Sequence, residues 1–163
     1  MKKFKKVLVA NRGEIAIRIF RACNELGIRT VAIYSEEDKN ALFRSKADES
    51  YKIGRGKAPV DAYLGITEII QLAKSKGVDA IHPGYGFLAE NADFAKKCEE
   101  NGIVFIGPTH TMMNQLGDKI QSKIVAKQVG VPTIPGIEEA IKSDADAKKF
   151  ADFCGYPVML KAS

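Results

Sequence analysis

Short apolar runs alternate along the chain with stretches in which apolar residues recur at helical spacing. Lys6-Val7-Leu8-Val9-Ala10 is a nearly continuous apolar run, the pattern of a strand buried on both faces. Asn11-Arg12-Gly13 reads as a turn. From Glu14 to Leu26 the positions Ala16, Ile19, Phe20, Cys23 and Leu26 repeat at helical spacing, with Arg18, Arg21 and Glu25 elsewhere on the surface. Gly27 reads as the C-cap, and a second strand, Thr30 to Tyr34, follows at once. This is a βαβ unit with short connections.

The alternation continues through a weak strand at Ser50–Ile53, a flexible basic loop at Gly54–Pro59 and a helix from Leu64 to Lys76. A strand at Asp79–His82, a helix from Asn91 to Asn101 with Asn91 as N-cap, and a strand at Val104–Ile106 complete the set. Strands alternating with helices predict an α/β fold with a parallel sheet covered on both faces. Right-handed crossovers place the loops after the strands along one edge of that sheet. Those loops are Asn11–Glu14, Ser35–Lys39, Pro83–Glu90 and Gly107–Thr111, and function is expected there.

After Gly107-Pro108 the rhythm changes. Thr111 to Gln128 is helical with a break at Gly117-Asp118, and Val131–Gly136 is a rigid extended linker. Ser143 to Cys154 reads as a helix capped by Ser143, and Tyr156 to Lys161 as a strand. That strand has no sheet partner in sight, so the chain reads as a fragment of a larger unit.

Composition narrows the function classes. The chain has 163 residues, 45% apolar, 28% charged and 8% aromatic, which suits one globular domain or one domain with part of a second. Lys and Arg number 25 against 20 Asp and Glu, a net +5 spread along the chain rather than gathered in an arm. No nucleic-acid partner is expected. No apolar stretch approaches the ~20 residues that span a bilayer, and the basic start Met1–Lys6 lacks the h-region of a signal peptide. A cytoplasmic location without membrane contact follows. Cys23, Cys98 and Cys154 lack C-x-x-C spacing and sit in helix-like apolar patterns, so all three are expected as core fillers. His82 and His110 have no partner at metal-ligand spacing, and no metal site is expected in this stretch.

Two segments could carry chemistry. Asn11-Arg12-Gly13-Glu14 offers one glycine where a dinucleotide fingerprint needs three, and Glu14 would face the pyrophosphate, so that site is set aside. His82-Pro83-Gly84-Tyr85-Gly86-Phe87 leaves the carboxyl end of a buried strand, where open α/β sheets bind ligands. Both glycines permit positive φ or close backbone approach, so the loop can lie against a substrate. The competing reading is a strained turn whose Tyr85 and Phe87 cap the core.

Several long motifs, in order, resemble the biotin carboxylase family: VLVANRGEIAIRIFRAC (7–23), AIHPGYGFLAENADFA (80–95), FIGP (105–108) and GDKIQSK (117–123), continuing through VPTIPG (131–136) to GYPVMLKAS (155–163). GRGKAPVDAYL (54–64) resembles the pyruvate carboxylase branch. The resemblance implies a Rossmann-like pre-ATP-grasp domain over residues 1–112, linking helices over 113–132 and the incomplete start of an ATP-grasp small lobe over 133–163. It implies a parent that uses ATP with Mg2+ or Mn2+ to activate bicarbonate as carboxyphosphate. Carbon dioxide then passes to N1 of biotin on a carrier domain, leaving ADP and phosphate. The family's glycine-rich phosphate loop and catalytic carboxylates lie beyond this stretch, so no catalytic residue is assigned and the fragment alone is expected to be inactive.

By the same resemblance Lys119 and Lys161 bind ATP, Tyr85 and Gly86 line the biotin side, and Arg21 and Glu25 belong to a helix used in dimer contacts. The residues themselves bear on each role. A lysine ending an apolar strand, as Lys161 does, is a point charge suited to phosphate, or else simply points into water. Lys119 in a first helical turn opposes the macrodipole, which invites an anionic ligand, and Asp118 is the expected N-cap. Lys123 and Lys127 form a solvated face. A flat Tyr85 ring suits packing on biotin's bicyclic ureido group, and Glu90 is a loop anchor or a partner for the dipole of the following helix. Arg21 and Glu25 could equally be an exposed i,i+4 pair. Ala89 stands where the family usually carries serine, so that position is not carried over. Two rival functions stay open: a non-catalytic dimerisation or partner-binding module, and a piece of another ATP-grasp ligase such as a carbamoyl-phosphate synthetase.

Overall fold

The computed structural model describes residues 3–117, 119–133, 141 and 143–159, with the backbone alone at 119 and 120. Residues Met1–Met113 form one compact unit and Asn114–Ser163 a second.

The first unit is built on five parallel strands: β1 (Lys6–Val9), β2 (Arg29–Tyr34), β3 (Glu49–Lys52), β4 (Ala80–His82) and β5 (Val104–Phe105), in the order β3-β2-β1-β4-β5. The chain winds outward from β1 to β3, then crosses over to lay β4 and β5 on the other side of β1. The switch point therefore lies between the carboxyl ends of β1 and β4. Helices α1 (Gly13–Glu25), α2 (Pro59–Tyr63), α3 (Ile66–Ser75) and α4 (Ala92–Glu100) supply the crossovers, with a 3-10 turn at Leu42–Lys46.

Burial explains the apolar runs. Leu8 faces a core with Val31, Ile33, Ile69, Ile81 and Phe94, whereas Val7 and Val9 face another with Ala16, Phe20, Ala32 and Phe43. Both faces of the sheet are thus covered, which removes the polar alternation of a half-exposed strand. Helix ends repeat one device. Gly27, Gly77 and Gly102 take positive φ, and the N–H groups of Ile28, Val78 and Ile103 donate to the carbonyls of Cys23, Ala73 and Cys98. This Schellman closure satisfies the last helical carbonyls and turns an apolar residue toward the next strand. Asn91 caps α4 as expected, its side chain accepting from Phe94 N–H at 2.8 Å.

The second unit contains the second half of α5 (His110–Gly117), then α6 (Lys119–Gln128) and α7 (Asp144–Cys154). Ser143 caps α7 by accepting from Asp146 N–H.

Three expectations change. The helix read over Leu64–Lys76 is α3, but a further helix, α2, precedes it, because Pro59 in the first helical turn starts a helix at the end of what reads as loop. Tyr156–Met159 forms no strand: no ladder pairs with these residues among those described, and Tyr156 and Met159 are exposed. Cys23 and Cys98 are core residues, but Cys154 at the end of α7 is exposed.

Candidate functional site

The carboxyl edge of the sheet gathers the loops after β1, β2 and β4. Ala10 N–H still donates to His82 O at 2.9 Å, so β1 and β4 pair up to the point where both chains leave the sheet. The next residue, Asn11, is only 3% exposed. Its amide donates to Pro83 O at 2.7 Å and Tyr85 O at 2.8 Å, and its Oδ1 accepts from Arg12 N–H at 2.9 Å.

Arg12 reaches sideways to the loop after β2. Its Nε and Nη2 donate to the two carboxylate oxygens of buried Asp38. Asp38 Oδ2 also accepts from Tyr63 Oη at 2.6 Å, and Tyr63 Oη accepts from Ser35 N–H at 3.2 Å. Hydrogen bonding to Arg12 is the main reason the Asp38 carboxyl lies below its ordinary value. Burial, reinforced by the bond to Asp38, pushes the Tyr63 phenol well above its own. The Tyr63 ring then stacks on Phe87, centroids 5.2 Å apart. Arg12, Asp38, Tyr63 and Phe87 thus form a chain of contacts from the loop after β1 to the loop after β4.

In that last loop the two aromatics part company. Phe87, at φ 41°, packs against the core and Leu88 is buried within it, whereas Tyr85 is 62% exposed. Tyr85 Oη donates to Glu14 Oε1, a contact that raises the phenol's pKa. Gly86 has positive φ, and a Cβ built there meets nothing within 4 Å, so the Tyr85–Gly86 surface is open to an approaching flat ligand. Burial lowers the pKa of His82, and its Nδ1 accepts from Gly84 N–H at 3.0 Å. Glu90 is exposed and makes no hydrogen bond or ion pair among the described residues, and the side chain that ties the loop to the sheet is Asn11.

The other residues singled out in the sequence lie apart from this edge. Arg21 and Glu25 are exposed one turn apart on α1, form no ion pair among the described residues, and line an open concavity with Arg18 and Ala22. Lys119 opens α6 by its backbone, and its side chain is not among those described; Asp118 and Lys161 lie outside the described residues. Among the described residues no group of His, Cys, Asp and Glu could hold a metal ion, and no helix is long and apolar enough to cross a membrane. The sequence pattern missed Asn11, Arg12, Asp38 and Tyr63 as site residues. Their one legible signal was position, since three of the four fall in or beside loops at the carboxyl edge.

The chain is similar to known proteins along its whole length. A family profile described as the biotin carboxylase N-terminal domain matches residues 3–113. The ATP-binding domain of the carbamoyl-phosphate synthase L chain matches residues 118–163. Mitochondrial pyruvate carboxylase of Mus musculus is 56% identical over 162 residues, which are 99% of this chain and 14% of that protein. The bicarbonate-bound biotin carboxylase domain of a thermophilic 2-oxoglutarate carboxylase superposes with a TM-score of 0.89 at 55% identity, over 99% of this chain and 36% of that one. The biotin carboxylase domain dimer of Hydrogenobacter thermophilus 2-oxoglutarate carboxylase, in complex with MgADP and bicarbonate, gives 0.90 at 54% identity, over 96% and 34%. The chain spans about a seventh of the mouse protein and about a third of the solved domains.

Proposed function

Because the chain belongs to the biotin carboxylase family, we propose that it is the N-terminal part of an ATP-dependent biotin carboxylase within a pyruvate carboxylase. The parent converts ATP, bicarbonate and biotin on a carrier domain to carboxybiotin, ADP and phosphate. The single observation that carries this reading is the 56% identity held over 99% of the chain, since the sheet edge alone is compatible with many ligands.

Within the parent this chain contributes mainly shape and charge. Residues 1–112 are the pre-ATP-grasp domain, 113–132 the linking helices and 133–163 the start of the small lobe. Exposed Tyr85 and unobstructed Gly86 present a flat surface to the bicyclic ring of biotin, the group that accepts the carboxylate. Lys119 and Lys161 offset the charge of the ATP phosphates, which in water would repel an anionic nucleophile. Magnesium or manganese is held by residues outside this stretch, and no metal ligand is assigned here. Arg21 and Glu25 contribute to a homo-oligomer contact through the exposed face of α1. The protein works in the cytoplasm, and its three free cysteines suit a reducing compartment.

The test uses the intact protein that contains this chain. With MgATP and bicarbonate it should release ADP and carboxylate free biotin. ADP release driven by ammonia and bicarbonate without biotin would instead make it a carbamoyl-phosphate synthetase, and no ATP turnover under either condition would make it a binding module.

A further inference from the structure

The turn that carries Tyr85 is held from outside its own loop. Two carbonyls, those of Pro83 and Tyr85, converge on the one amide of Asn11. Asn11 in turn follows directly on the last β1–β4 ladder bond, so its backbone is tied to the sheet rather than to a mobile loop. Between the two carbonyls sits Gly84 at φ +68°, and a Cβ there would lie 2.7 Å from Asn11 Nδ2 and 3.1 Å from its Cγ. The amide and the bare glycine therefore fit only together. By contrast the bond from Tyr85 Oη to Glu14 joins two exposed side chains, where water competes for both.

We propose that Asn11 is a positioning residue for biotin carboxylation: its buried amide sets the Pro83–Tyr85 turn and so fixes where the Tyr85 ring is presented. The inference rests on the biotin-side reading of Tyr85. Few side chains can replace this one. The amide supplies two N–H donors from one short side chain, aspartate supplies none when ionised and turns a charge on two carbonyl oxygens, and serine supplies one. No step of the reaction runs through Asn11.

The experiment compares Asn11→Asp, Asn11→Ser, Tyr85→Ala and the Asn11→Ser/Tyr85→Ala double variant in the intact protein. Amide exchange over residues 84–90 and the KM values for free biotin and for ATP are measured. Asn11→Ser keeps the test available should Asn11→Asp fail to fold. The expected result is loop exchange faster by about tenfold with core strand amides unchanged. KM for biotin should rise by about tenfold while KM for ATP holds. In the Tyr85→Ala background the serine change should add nothing further, because Asn11 acts through that ring. Fully additive penalties, unchanged loop exchange, or a rise in KM for ATP alone overturns the proposal. A loosened loop with normal biotin kinetics in every variant overturns it too, and the normal Tyr85→Ala enzyme then traces the failure to the biotin reading, not to the clamp.

Discussion

Arg12 and Asp38 meet as a bidentate pair, Nε 2.6 Å from Oδ2 and Nη2 2.5 Å from Oδ1, across the carboxyl ends of β1 and β2. Asp38 is 6% exposed, whereas the Arg12 side chain is 49% exposed. The carboxylate is thus the buried member, and it depends on Arg12 and Tyr63 for its hydrogen bonds. The pair also governs the loop after β4, because Tyr63 stacks on Phe87.

Asp38→Asn should destabilise the protein by about 1.5–3 kcal/mol, toward the low end because Arg12 regains water. Tyr63→Phe keeps the stacking and loses only the hydroxyl contacts, about 1 kcal/mol. Tyr63→Ala removes a ring from the core and should cost about 3–5 kcal/mol. Urea unfolding ranks the three. A Tyr63→Phe variant as damaged as Tyr63→Ala would mean that the hydroxyl network, not the ring, dominates.

Stability should fall with acid in two windows. His82 has a folded pKa lowered by burial, so below its ordinary 6.5 the unfolded chain binds the proton more readily and folding weakens as pH drops. Asp38 has a folded pKa lowered chiefly by Arg12, so its contribution is present above the ordinary 3.8 and is lost as pH falls through the lowered value. Melting temperature against pH should show both declines, and His82→Gln should remove the upper one. A flat profile from pH 7 to 5 would contradict the lowered pKa of the half-buried imidazole.

Lys119→Ala and Lys161→Ala in the intact protein should each remove a charge-assisted phosphate contact, typically worth ~1.5–3 kcal/mol. KM for ATP should then rise by roughly one to two decades. Bicarbonate-dependent ATPase kinetics decide, and unchanged values would dismiss both lysines as ATP ligands.

The 163-residue chain by itself should bind MgATP weakly, with strong salt dependence and little preference over tripolyphosphate. It spans about a third of the solved biotin carboxylase domains, and catalysis by preorganised charge needs groups from the whole site held together. Calorimetry at two salt concentrations measures this; tight, adenine-selective binding would show that the remaining part is dispensable.

Local features were legible in the sequence because their causes are local. Asn91 caps the helix that begins one residue later, and the Gly-apolar pairs after α1, α3 and α4 close those helices within a single turn. Helix α2 escaped because it is five residues long and begins at a proline inside a basic, glycine-rich stretch. The fate of the cysteines shows the limit of periodicity. Cys23, Cys98 and Cys154 share a helical pattern, but burial of Cys154 needs a neighbour that pattern does not supply. The site divides the same way. Tyr85 and Gly86 stood out by composition, while Asn11 stood out only as part of a poor dinucleotide motif.

The sequence by itself determined the alternation of strands and helices, the parallel sheet buried on both faces, and the family, since each is written in contiguous residues. Only the tertiary structure decided which of those residues act together. Arg12 and Asp38 are 26 positions apart, and Asn11 and Tyr85 are 74 apart. What joins them is the order β3-β2-β1-β4-β5, which seats β1 between β2 and β4 and brings the three loops to one edge. Hydrogen bonds of less than 3 Å select such partners, and no periodicity along a chain records a distance across a sheet.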